Sequence, residues 1–104
     1  MTTPFVYAIT DGEFIKIGVS VNPNKRLKQL STGSAKRLVL LGYFNGGYTL
    51  ETELHESHIK VRNNGEWMKP TNDLLNYLND MIPNKHIALV CGKVLSYPKI
   101  PVRN

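Results

Sequence analysis

Residues 5–20, FVYAITDGEFIKIGVS, decide the fold. Two runs rich in β-branched and aromatic residues, Phe5 to Thr10 and Glu13 to Ser20, flank Asp11-Gly12, the dipeptide most strongly tied to a tight hairpin turn. A two-residue turn would set Thr10 against Glu13, Ala8 against Ile15 and Tyr7 against Lys16. Side chains alternate between the faces of a strand, so Phe5, Tyr7, Ile9, Phe14, Lys16 and Gly18 share one face. Val6, Ala8, Ile15 and Ile17 line the other, which is the apolar face and the expected core side.

Further along, Asn22-Pro23 reads as a helix N-cap followed by proline at the first helical position, and Gly33 as the stop. Leu27 and Leu30 fall on the buried side of that short helix, with Lys25, Arg26 and Lys28 around it. Arg37 to Phe44 is an almost unbroken apolar run and predicts a central strand. A second helix is expected from about Tyr48 to Val61, and a third from an Asn72 cap to Met81 or Ile82, ended by Pro83. One more strand is expected around Ile87 to Val90, before Pro98 and Pro101 enforce an extended tail. The order predicts an α+β fold: a small, three-stranded, largely antiparallel sheet flanked by helices. Residues 1–82 are expected to form that domain, with 83–104 a short C-terminal extension packed on it.

The whole chain, 104 residues with 41% hydrophobic and 20% charged, suits one globular domain and not a disordered segment. A single cysteine, Cys91, excludes an internal disulfide and points to a reducing, cytoplasmic setting. No apolar run approaches the ~18 residues of a membrane span, and the start does not read as a signal peptide. The net charge is +5, and its distribution says more than its sum. Between Phe14 and Leu50 stand six bases (Lys16, Lys25, Arg26, Lys28, Lys36, Arg37) and no acid. From Glu51 to Asp80 there are six acids against three bases, and after Met81 only bases again. The first block would attract a polyanion, and Lys25, Lys28, Lys36 and Arg37 are the expected phosphate contacts without base readout.

The candidate chemistry sits in two places. On the second helix, at about 100° per residue, Leu50, Leu54 and Val61 form the apolar stripe. Glu51, His55 and His58 flank it, so Glu51 borders core and solvent, where a carboxylate can hold a hard cation. A zinc site from the same three residues lacks an evident fourth ligand and has no familiar metalloprotease spacing. In the hairpin, an ammonium at Lys16 opposite Tyr7 would favour the phenolate, and Arg26 could clamp a phosphate with its fork. Gly18, on the Tyr7 face, would admit close backbone approach or mark a bulge. Cys91 has no base beside it in sequence, so a nucleophilic role is not expected.

These residues in this order resemble the GIY-YIG nuclease superfamily, in particular its branch with a KIG second motif, known from phage and mobile-element proteins. The matching stretches are VYAI (Val6 to Ile9), KIG (Lys16 to Gly18), the run from Gly18 to Ser34 with Arg26 eight residues after Gly18, LETELH (Leu50 to His55) and RNNGEW (Arg62 to Trp67). The resemblance covers roughly residues 5–80 and implies a DNA endonuclease using one Mg²⁺ or Mn²⁺. Tyr7 would then help activate water, Arg26 would steady the scissile phosphate and Glu51 would bind the metal. Lys16 and His55 join the expected catalytic set, with Gly18, Asn63, Asn64 and Glu66 as accessory positions. Phe5, Lys16 and Leu30 depart from the superfamily pattern, although lysine at position 16 is usual in that branch. DNA is the expected partner, and a homodimer would be needed to cut both strands. The alternatives are a nucleic-acid-binding module that kept the fold without the chemistry, or a small protein that binds a host protein.

Overall fold

The computed structural model describes residues 3–57, 67–82, 86–90 and 93–97, and the side chains among them at positions 3–54, 56 and 67–82. The elements run β1 (Phe5–Thr10), β2 (Ile15–Ser20), α1 (Pro23–Thr32), β3 (Val39–Asn45), α2 (Tyr48–Ser57), β4 (Trp67–Met68), α3 (Asn72–Met81), β5 (His86–Val90) and β6 (Lys93–Tyr97). The class is α+β, as the sequence predicts, but the main sheet has four strands rather than three, ordered β3-β1-β2-β4 and antiparallel throughout. The added strand is β4, whose two residues pair Trp67 with Lys16 and Met68 with Ile15. Its brevity explains why no alternating pattern betrays it in the sequence. β5 and β6 form a separate two-stranded sheet, with β5 beside α3. The predicted strand near Ile87 therefore has a partner, β6, that was not foreseen. Pro83, Pro98 and Pro101 lie outside the described residues.

The hairpin forms with a different register from the one expected. Thr10 pairs with Ile15, Ala8 with Ile17 and Tyr7 with Gly18, so the loop has four residues, Asp11 to Phe14. The cause is side-chain capping of the loop. Asp11 Oδ1 accepts hydrogen bonds from the backbone N–H groups of both Glu13 and Phe14, each at 2.9 Å. Thr10 Oγ1 donates to the Phe14 carbonyl and accepts from the Gly12 N–H. These bonds satisfy the loop polar groups locally, so a wider loop replaces the two-residue turn. The slip is two residues, and a two-residue slip preserves faces. Val6, Ala8, Ile15 and Ile17 still line one side, where they pack with Leu41, Phe44, Leu54, Met68, Leu74, Leu75, Leu78 and Ile82 in one core.

α2 and α3 supply the helical half of that core through Leu54 and through Leu74, Leu75 and Leu78. α1 starts as expected: Asn22 Oδ1 accepts from the Lys25 N–H at 3.1 Å, Pro23 stands at the first position and Gly33 closes the helix. α3 is capped by Thr71, one residue before the predicted Asn72, with its hydroxyl accepting from Leu74 N–H. β3 carries an irregularity opposite Ala8 and Ile9, which turns Leu41 into the core and leaves Gly42 against Ile82. A Cβ on Gly42 would stand 3.3 Å from Ile82 Cβ and Cδ1, so the residue is fixed by packing.

Candidate functional site

The sheet face away from the large core carries the candidate residues. Tyr7, Ile9, Lys16 and Gly18 share it by strand alternation and are all buried. α1 packs over this side, against β1, β2 and β3. Gly18, and not Lys16, stands directly opposite Tyr7. A Cβ on Gly18 would lie 2.5 Å from Tyr7 Cζ and 2.9 Å from Cε2, so the phenol lies across the glycine and needs its missing side chain. This decides between the two readings of Gly18 in favour of close approach, since the β1–β2 pairing continues through it without a bulge.

Lys16 pairs with Ile9 instead, one diagonal step from Tyr7, and is only 7% exposed. Its ammonium lies 5.8 Å from the centroid of the Trp67 ring, within cation–π range. In the ladder Lys16 is therefore not the direct partner expected for Tyr7, and its ammonium lies over the Trp67 indole. The register slip is the reason: the same slip that keeps Lys16 on its face moves it two residues along the ladder.

Arg26 is exposed on α1, with Nη1 donating to Gln29 Oε1 at 3.4 Å. It borders the stripe of buried Pro23 and half-buried Leu27 and Leu30. Lys25, Lys28 and Arg37 are also exposed, on α1 and the segment after it. Lys36 is engaged: its ammonium donates to Glu13 Oε1 at 2.6 Å and lies 3.9 Å from Asp11 Oδ2. The only acids of the β1–β2 loop thereby balance one of the four cations expected to meet phosphate. Glu51 sits half-buried in the first turn of α2, flanking Leu54, and α2 packs against β2. His55 belongs to α2, but its side chain lies outside the described residues, as do Asn63, Asn64 and Glu66. Among the described residues no group of three or more His, Cys, Asp or Glu side chains could hold a metal ion.

Beside Lys16 opens a cleft of about 400 Å³, lined by Gln29 and Leu30 of α1, Gly33, Ser34, Leu38 and Trp67. A second recess of about 310 Å³ shares Gly33, Ser34, Leu38 and Trp67 and extends to Asp11 and Lys36. No motif or periodicity in the sequence marks these recesses. Trp67 comes from a distant part of the chain, and in the sequence it stands only as the end of the RNNGEW stretch.

The family model of the T5orf172 domain matches residues 4–82. The chain belongs to the T5orf172 domain family. This corrects the resemblance drawn from the motifs: the stretches read as GIY-YIG signatures fall within a different family. Short motifs such as KIG and LETELH are compatible with more than one family, so their order alone could not decide. Any role for Tyr7, Arg26 and Glu51 in this T5orf172 domain therefore has to follow from their own chemistry. No curated protein and no solved structure matches the chain significantly. Among the described residues no helix is long and apolar enough to cross a membrane.

Proposed function

We propose that this T5orf172 domain binds DNA and hydrolyses its phosphodiester bonds with the help of one divalent cation. The observation that carries the reading is that one strand is shared: Tyr7 and α1 lie on one face of β2, and α2 packs on it from the core side. The Tyr7 phenol lies across Gly18 of that strand, and both α1, which bears Arg26, and α2, which bears Glu51, pack against it. Membership of the family is in keeping with a phage-type nuclease or DNA-binding module. The unbroken block of cations from Lys16 to Arg37 supports a polyanionic partner.

Each residue has a chemically suitable task. Mg²⁺ keeps most of its waters and takes one or two carboxylates together with substrate phosphate, so the single half-buried carboxylate of Glu51 fits that ion or Mn²⁺. Bound there, the ion would supply Lewis-acid stabilisation of the phosphate charge. The Arg26 guanidinium offers a planar fork to a phosphate and is permanently charged. Tyr7 contributes a phenol oxygen held in place by Gly18: as the neutral phenol it orients water, and as the phenolate, its own proton given up to solvent, it can take water's proton. Lys25, Lys28 and Arg37 supply backbone contacts that do not depend on sequence. One such site per chain would nick, and cutting both strands would take two copies.

A second reading, a DNA-binding module without cleavage, is favoured by one observation: Tyr7 is only 2% exposed, as a packing residue would be. Plasmid cleavage with added Mg²⁺ or Mn²⁺, compared between wild type, Tyr7→Phe and Glu51→Gln, separates the two.

A further inference from the structure

The cleft beside Lys16 has a composition that the proposed hydrolysis does not use. One wall is aromatic, from Trp67, and two patches are apolar, from Leu30 and Leu38. Its polar groups are an ammonium (Lys16), an amide able both to donate and to accept (Gln29), and a hydroxyl (Ser34). The wall opposite β2 is fixed rather than loose. The Ser34 hydroxyl donates to the Lys36 carbonyl and accepts from the Lys36 N–H, while the Ser34 N–H donates to the Ser31 carbonyl. The Lys36 ammonium then ties this segment to Glu13 across the recess. At about 400 Å³, the space suits one planar group and is too small for a duplex.

We propose that this cleft receives one unpaired nucleotide, its base against Trp67 and its phosphate within reach of Lys16. The proposal rests on the reading that the partner is nucleic acid, and it narrows that reading to substrates with a single-stranded or frayed segment. Three features select such an occupant over an apolar peptide. The cleft pairs an indole with a cation, the combination that single-strand binders use for base and backbone. The surrounding stretch from Phe14 to Leu50 is purely basic. At its rim the Gln29 amide can both donate and accept, as the edge of a base does, and the Ser34 oxygen, its proton given to the Lys36 carbonyl, keeps one lone pair to accept.

Trp67 is the only tryptophan of the chain, so its emission reports on this cleft alone. Gly33 lines both recesses, and a Cβ there would meet nothing within 4 Å, while its φ of −100° suits any residue. Gly33→Leu therefore adds bulk at a residue lining the cleft without disturbing the fold, which circular dichroism checks. The experiment titrates wild type and Gly33→Leu at low salt with a short oligothymidylate and with an abasic oligomer of the same length and charge. A base–aromatic stack should make oligothymidylate bind about tenfold more tightly than the abasic strand and quench Trp67. Gly33→Leu should bring oligothymidylate down to the abasic affinity. Equal affinities in wild type would overturn the proposal while leaving the nucleic-acid reading intact. A preference for bases that survives Gly33→Leu would place the base elsewhere and overturn it too. Binding of neither strand would overturn both readings together.

Discussion

The phenol of Tyr7 lies across Gly18, its direct partner on the neighbouring strand, in space that any side chain at position 18 would occupy. The contact links a packing requirement to the candidate chemistry, because the atom that must be accommodated is at the functional end of the tyrosine. Gly18→Ala should force the ring away and cost roughly 1–3 kcal/mol, the usual penalty of overpacking. A thermal melt of Gly18→Ala, Tyr7→Ala and the double variant checks it. The double variant should be more stable than the sum of the two losses predicts, and strict additivity would show that the two residues do not press on each other.

Asp11 holds the hairpin loop through two backbone N–H groups. Asp11→Ala should destabilise by about 1–3 kcal/mol, since both donors lose their partner in a half-buried loop. Asp11→Asn keeps an acceptor oxygen and should recover most of that loss. Urea unfolding of the two variants distinguishes them, and equal losses would mean that charge, not the loop cap, matters at this position.

The pair between Lys36 and Glu13 is exposed on both sides, with side-chain exposures of 49% and 46%, so its worth to stability is under about 1 kcal/mol. Its removal should matter more for binding. Glu13→Gln deletes an acid at the edge of the basic block and leaves Lys36 less tightly held, with Asp11 still 3.9 Å away, which should tighten DNA binding and steepen its salt dependence. Anisotropy titrations over a range of salt concentrations measure both, and an unchanged slope would exclude Lys36 from the phosphate contacts.

Helix α3 depends on Thr71, whose hydroxyl accepts from Leu74 N–H at 3.2 Å. Thr71→Ala should cost about 1 kcal/mol and Thr71→Ser little, as a melt would show. A substitution at Asn72, the cap expected from the sequence, should cost less than at Thr71.

The parts of this molecule that were legible in its sequence follow from local rules. The Asn22-Pro23 start and Gly33 stop of α1 involve neighbours in the chain and could be read directly. The faces of the hairpin were legible because alternation survives a slip of two residues, whereas the register was not. It depended on whether Asp11 would supply a turn residue or an acceptor for Glu13 and Phe14. Which residues stand directly opposite Tyr7 and Lys16 followed from that register, so the expected cross-strand partner of each changed with it. Trp67 illustrates the remaining gap. Its place beside Lys16 is a contact between distant segments made by a strand of two residues, which no periodicity can announce. The family was misread for a related reason: short motifs record a few positions, and the match over residues 4–82 weighs the whole domain.

The most direct test of the central claim is cleavage of supercoiled plasmid by the purified chain in the presence and absence of Mg²⁺ or Mn²⁺. Hydrolysis at a site built from Tyr7 and Glu51 predicts nicking that requires the metal. Tyr7→Phe should reduce it by about a hundredfold or more, within the range of general acid–base catalysis. Glu51→Gln should abolish it while leaving DNA binding in place. Intact plasmid under every metal condition, or cleavage by both variants at the wild-type rate, would contradict the claim.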